Sequence, residues 1–151
     1  MHNRPIRLAV RGVILRENRL LLVNAWPKGK DGSISDLWCA PGGGVEKGQS
    51  LPDNLAREVM EECGLTVAVG LPCLINEFHN PDDGFHQVEV FFRCTVTGDL
   101  SDDWQDPEGV VTRRRFFSQA DVQNLHLKPD SLRHLPWSDA ITYDALELLA
   151  K

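Results

Sequence analysis

The sequence predicts a single domain of mixed α/β (α+β) class. Three observations lead there: short apolar runs with the loose alternation of strands, one amphipathic helix with signals at both ends, and turn residues between them. A chain of 151 residues, 42% apolar and 25% charged, can bury one core without covalent cross-links.

Ile6 to Leu15 reads as the first strand, Glu17-Asn18-Arg19 as a turn, and Leu20 to Trp26 as the hairpin partner. Lys28 to Asp36 is polar and glycine-containing, an exposed loop, and is followed by Trp38-Cys39-Ala40 and the glycine run after Pro41. Ser50 starts the clearest helix. It is a good N-cap, Asp53 stands three residues on, Pro52 is tolerated in the first turn, and Gly64 ends the helix after Cys63.

Thr66 to Leu74 and Gln87 to Val96 read as strands, the second with Val88, Val90 and Phe92 on one face. Asn80-Pro81-Asp82-Asp83-Gly84 between them is a turn signal. Ser101 to Gly109 forms an acidic loop with one tryptophan. Val110 to Phe117 makes a short strand, and Ser118 caps a short helix to about Leu125. Ser138 is read as the cap of a final helix, Asp139 to Ala150, with Ile141, Ala145, Leu148 and Leu149 on one face.

The net charge of −6, from 22 acids and 16 bases, argues against a long nucleic acid as partner, because polymer binding needs a basic footprint. A small phosphorylated molecule stays open, since a metal ion neutralises phosphate locally. Cys39, Cys63, Cys73 and Cys94 are scattered without a C-x-x-C pair, which reads as reduced thiols in a cytosol. Met1 to Arg7 lacks an apolar signal region, and no stretch approaches the ~20 apolar residues of a membrane helix. The expectation is a cytoplasmic protein with no membrane partner.

On a helical wheel with Arg57 at zero, Glu61, Glu58 and Glu62 fall at roughly 40°, 100° and 140°, while Leu55, Val59, Cys63, Ala56 and Met60 span roughly 160° to 300°. A solvated acidic face accounts for many such helices. Here, however, Glu58 has Glu61 at i+3 and Glu62 at i+4, like-charge pairs that destabilise a helix. Arg57 offsets part of this through Glu61 and Asp53, and a divalent cation would offset more, because hard ions prefer clustered carboxylate oxygens. Gly42, Gly43 and Gly44 allow a ligand close to the main chain or simply form a turn; they lack the G-x-x-x-x-G-K-[ST] pattern of a P-loop.

Gly43 through Leu65 resembles the Nudix box, G-x5-E-x7-R-E-U-x-E-E-x-G-U with U a bulky aliphatic residue. Every specified position fits except Gln49, which stands where the box has glutamate. Trp38-Cys39-Ala40-Pro41, Arg115-Phe116-Phe117-Ser118 and the hairpin from Val10 to Val23 are also similar to the family. The resemblance implies a Nudix fold, a mixed β-sheet sandwiched between α-helices, spanning residues 1–151 as one domain. It implies Mg²⁺- or Mn²⁺-dependent hydrolysis of a nucleoside diphosphate linked to another group. By position, Glu58, Glu61 and Glu62 would be metal ligands, with Gln49 a weak one that lacks a charge. Arg57 would orient a carboxylate, and Gly43 and Gly44 would shape the loop facing metal and phosphate.

The metal would lower the pKa of a bound water for in-line attack at phosphorus. Glu61 or Glu62 could act as general base. For the acid that the family often adds from outside the box, Glu108 is the first candidate, although a solvated loop acid reads the same way; Glu77 and Glu89 are weaker, strand-borne alternatives. Arg113 and Arg115, with Arg114, could clamp phosphates. Trp26, Phe78 or Trp104 could stack on a base, and His79 and His86 are at most substrate contacts. The expected partner is a small-molecule nucleotide, with a homodimer left open because no residue speaks to it. The competing reading is a Nudix-fold nucleotide-sensing module with weak or no catalysis, for which Gln49 is the support. A mere interaction domain leaves the box unexplained.

Overall fold

A computed structural model of the chain describes residues 4–25, 36–101, 103–108 and 111–149. The expected loop at 28–35, Trp26, and Gly109 and Val110 at the end of the acidic loop lie outside the described residues.

The elements are β1 (Arg7–Arg16), β2 (Arg19–Ala25), β3 (Trp38–Cys39), β4 (Gly42–Gly44), α1 (Leu51–Cys63), β5 (Thr66–Asn80), β6 (Phe85–Thr97), β7 (Val111–Phe117), α2 (Gln119–Val122), β8 (Thr142–Tyr143) and β9 (Glu147–Leu148). The strands form one mixed sheet in the order β3-β2-β1-β6-β5-β8, with β4 on β1, β7 on β2 and β9 on β5. β1 and β6 run parallel, and β1–β2 and β5–β6 are antiparallel. Glu17 and Asn18 both adopt positive φ, 51° and 64°, which matches the twist of a two-residue hairpin turn.

β2 is apolar from Leu20 to Val23 because both of its faces are covered there. Leu20 and Leu22 join Val13, Leu74 and Phe91 in a core closed by Val122, Leu132 and Leu135, from α2 and the short 3₁₀ turns Asp130–Arg133 and Leu135–Trp137. Leu21 and Val23 join Val10, Ile14 and Phe92 in a second core closed by Leu55 and Val59 of α1. Helical cover on both sides of a mixed sheet is the expected fold class. Met60, expected inward on the wheel, is instead exposed.

α1 follows its sequence signals. Ser50 Oγ accepts from the Asp53 amide at 3.1 Å, and Gly64 takes the left-handed cap at φ 69°. The indole of Trp104 lies against Gly64 where any side chain would sit, which requires glycine there for space as well. Ser118 caps α2 with a reciprocal box through Asp121.

Two expectations need correction. The strand from Thr66 does not stop at Leu74 but continues to Asn80, through irregular register around Pro72. In β6, Val88, Val90 and Phe92 share a face as expected, Phe92 buried and the valines half so, and Gln87, Glu89 and Phe91 of the opposite row are buried as well. The final helix at 139–150 is absent among the described residues. The segment runs as β8 and β9 parallel to β5, with Asp144 N donating to Ile75 O at 2.9 Å and Leu149 N to His79 O at 2.8 Å. An open sheet edge offers backbone partners that override a weak helical periodicity, and Ile141, which that helix would have buried, is 85% exposed.

Candidate functional site

The antiparallel pairing of β4 with β1 sets Gly42, Gly43 and Gly44 opposite Arg11, Val10 and Ala9. This brings the glycines against the acidic side of α1. Together with Arg7 they enclose a pocket of about 140 Å³ lined by Glu58, Glu61 and Glu62 of the helix and Asp106 and Glu108 of the following acidic loop. A Cβ on Gly43 would lie 2.8–2.9 Å from the Glu58 carboxyl group, so only glycine admits that carboxylate.

The acids are held differently. Glu62 is buried and accepts from the Gly42 amide at 3.1 Å. Burial pushes its carboxyl up to about 8, against the pull of Arg11 and the Gly42 N–H and with the push of Glu58 and Asp106. Burial also raises Glu58, opposed by Arg57 and reinforced by Glu61 and Glu108.

Arg57 donates to Glu58 Oε1 at 3.3 Å and Glu61 Oε1 at 3.4 Å, orienting two carboxylates at once. Burial works against its charge, but Glu58, Glu46 and Glu61 outweigh it and raise its pKa. The expected contact with Asp53 is replaced by Asn54 Oδ1 at 3.0 Å and Glu46 at 3.8 Å. Asp106 shapes the far rim by accepting from the amides of Glu108 and Val111, each at 3.0 Å.

Glu58, Glu61, Glu62, Gly43, Gly44 and Glu108 thus meet in one place, with Arg57 bonded to two of them. Other candidates do not. Gln49 is exposed and outside the pocket, and it is its backbone oxygen that is engaged, by Asn54 Nδ2 at 3.2 Å. Arg113 and Arg115 lie over the rings of Trp38 and Phe117, at 5.0 and 5.2 Å. Trp104 is no base platform: its indole N–H donates to Glu61 O at 3.0 Å and the ring packs on the helix end.

Glu77 is tied to His86 at 3.1 Å and to the Tyr143 hydroxyl, and His79 stacks on His86 with ring centres 5.4 Å apart. Glu89 does not face solvent; it is buried and bonded to Arg11. Phe78 lines a second, larger cavity of about 310 Å³ that also includes Arg11, Cys39, Asn76 and Glu89.

The residues missed from sequence are Arg7, Arg11, Asn54 and Asp106. Arg11 left a readable signal, a charge in the middle of an apolar strand. There burial opposes its charge but Glu89 more than compensates, raising its pKa. Among the described residues no three acids or other donors are gathered closely enough to cage an ion by themselves, and no helix is long and apolar enough to cross a membrane.

Fold and site define a mixed-sheet domain with a carboxylate pocket facing a glycine strand. The NUDIX domain matches residues 5–138, and the chain belongs to this family. It is 36% identical over 108 residues to the diphosphoinositol polyphosphate phosphohydrolase 3-alpha of Mus musculus, covering 71% of this chain and 59% of that protein. It is 30% identical over 115 residues to the "Putative ADP-ribose pyrophosphatase YjhB" of Bacillus subtilis (strain 168), covering 74% and 50%. The chain therefore spans only about half to three-fifths of the length of these curated relatives. A NUDIX hydrolase structure from Nitrosomonas europaea shares the fold with a TM-score of 0.73 at 21% identity, covering 93% of this chain and 94% of that one.

Proposed function

We propose that the chain is a Mg²⁺- or Mn²⁺-dependent hydrolase cleaving the diphosphate bond of a nucleoside diphosphate linked to another group, acting as one cytoplasmic domain on a small molecule. The observation that carries this reading is the gathering of five carboxylates against Gly43 and Gly44 in one pocket. The names of the relatives, a pyrophosphatase and a phosphohydrolase, support the same chemistry.

The donor set fits a hard divalent ion. Magnesium keeps several waters and takes one or two carboxylates plus substrate phosphates, so it needs no closed protein cage. Glu58, Glu61 and Glu62 would hold it; when bound, it would neutralise phosphate charge and acidify a water. The chain's own residues do the rest. Arg57 fixes the orientation of Glu58 and Glu61. Gly43 and Gly44 let a phosphate approach the main chain. Glu108, exposed on the rim, accepts the proton of the attacking water. Arg113 and Arg115 enter only as positive charge outside the pocket. Gln49 takes no part, so its missing charge leaves the pocket intact, which favours turnover over a sensing module.

The test is product release from a nucleotide panel with and without each ion. Turnover should require the ion and vanish in Glu61→Gln and Glu62→Gln. Tight nucleotide binding without hydrolysis under either ion would establish the sensing module instead.

A further inference from the structure

The larger cavity adjoins the acidic pocket across β1, whose Arg7 lines one and whose Arg11 lines the other. Asn76 and Glu89 set a buried polar patch in its otherwise mainly apolar wall. Glu89, 4% exposed, accepts from Arg11 Nε, from Gln87 Nε2 at 3.1 Å and from Asn76 Nδ2 at 3.4 Å. An ionised carboxylate only accepts hydrogen bonds, so the Asn76 amide must turn its NH₂ toward Glu89 and its oxygen away. Asn76 is 6% exposed, and its Oδ1 has no hydrogen-bond partner among the described residues. The atom keeps access to the cavity, where water matches it until an occupant brings a donor of its own.

The charge of the cavity constrains that occupant. Arg11 is balanced by Glu89, and Lys128 by Glu147 at 3.0 Å, which leaves no surplus cation among its described lining residues. A polyphosphorylated ring would meet two carboxylates there, with both cations already paired to them. Phe78 offers an apolar flank for a flat, uncharged group.

We propose that Asn76 is a specificity-determining residue: the cavity receives the base of the nucleotide, and Asn76 Oδ1 accepts from an exocyclic amine on it. The proposal rests on the preceding reading for the identity of the substrate.

Calorimetric titration with three nucleotide pairs tests it: AMP against purine riboside 5′-monophosphate, CMP against its 4-desamino counterpart, and GMP against IMP. In at least one pair the amine-bearing member should bind about tenfold tighter. Asn76→Ala should bring it down to its counterpart and leave the counterpart unchanged; Asn76→Ser, too short to reach, serves equally if the alanine variant does not fold. Equal binding within every pair, a preference surviving both variants, no binding of any of the six, or tighter binding of inositol hexakisphosphate would each overturn it. Selective binding without hydrolysis by any ion would defeat the proposed activity and leave this inference standing, whereas hydrolysis without amine preference would do the reverse.

Discussion

Asn54 ties the glycine segment to the carboxylate helix, and removing its amide should cost more than any surface change on α1. It is fully buried. Its Oδ1 accepts from Glu46 N at 2.9 Å and Arg57 Nη2 at 3.0 Å, and its Nδ2 donates to Ser50 O at 2.8 Å and Gln49 O at 3.2 Å. Asn54→Ala strips a partner from two carbonyls, an amide and a guanidinium together. At about 1 kcal/mol net per bond, with water reaching the exposed loop side, the loss is about 2–4 kcal/mol. For a domain of this size that lowers the melting temperature by roughly 5–15 °C. Asn54→Asp keeps the shape and both acceptor bonds but turns a carboxylate oxygen toward the two carbonyls, so it should be no more stable than the alanine variant. Urea and thermal unfolding measure both. An alanine variant within about 1 kcal/mol of wild type, or an aspartate variant equal to it, would refute the assigned bonding.

Two further perturbations act on the pocket itself. In Gly43→Ala the new methyl meets only the flexible end of Glu58, so unfolding should shift by less than about 1 kcal/mol while turnover falls on the order of 100-fold from the displaced carboxylate; unchanged turnover contradicts the geometry. Glu62 is raised from 4.5 to about 8, so its contribution to stability is fully present below about 4.5 and is lost as pH rises through about 8. The stability of wild type relative to Glu62→Gln should therefore decline across that window, as read by urea unfolding at stepped pH, and a flat difference would remove burial as the cause.

Local chemistry was legible in the sequence. Ser50 and Gly64 mark the ends of α1 because capping is settled within a few residues, and the glycines were legible as a place of close approach. Non-local pairing was not. Nothing between 139 and 149 says that the edge of β5 is open, so a helical stripe was the better local reading of what became two strands. The same blindness hid the buried polar groups. Gln87 and Glu89 alternate with Val88 and Val90 as a wet face does, and only the arrival of Arg11 from the parallel neighbour β1 shows that this face is covered and its charge compensated. Asn54 gives no signal in the sequence, because its partners lie in a loop whose path the sequence does not trace.

The structure also changes the reason for the crowded acids. From the sequence, three like charges on one helix called for a cation to relieve them. In the folded chain Arg57 already bonds Glu58 and Glu61, and burial favours the protonated, uncharged form of Glu62 at neutral pH. The pocket is thus tolerable to the fold without an ion, and an arriving ion must compete with a guanidinium and displace a proton. Both costs weaken its hold on the protein alone, and the cost of the proton, unlike that of the guanidinium, falls as pH rises. Phosphate oxygens would supply the ligands that the open pocket lacks, so ion and substrate each strengthen the other's binding. On the proposed function, uptake of metal and recognition of the diphosphate would then become one event, with the Arg57 contacts to Glu58 and Glu61 belonging to the ion-free pocket.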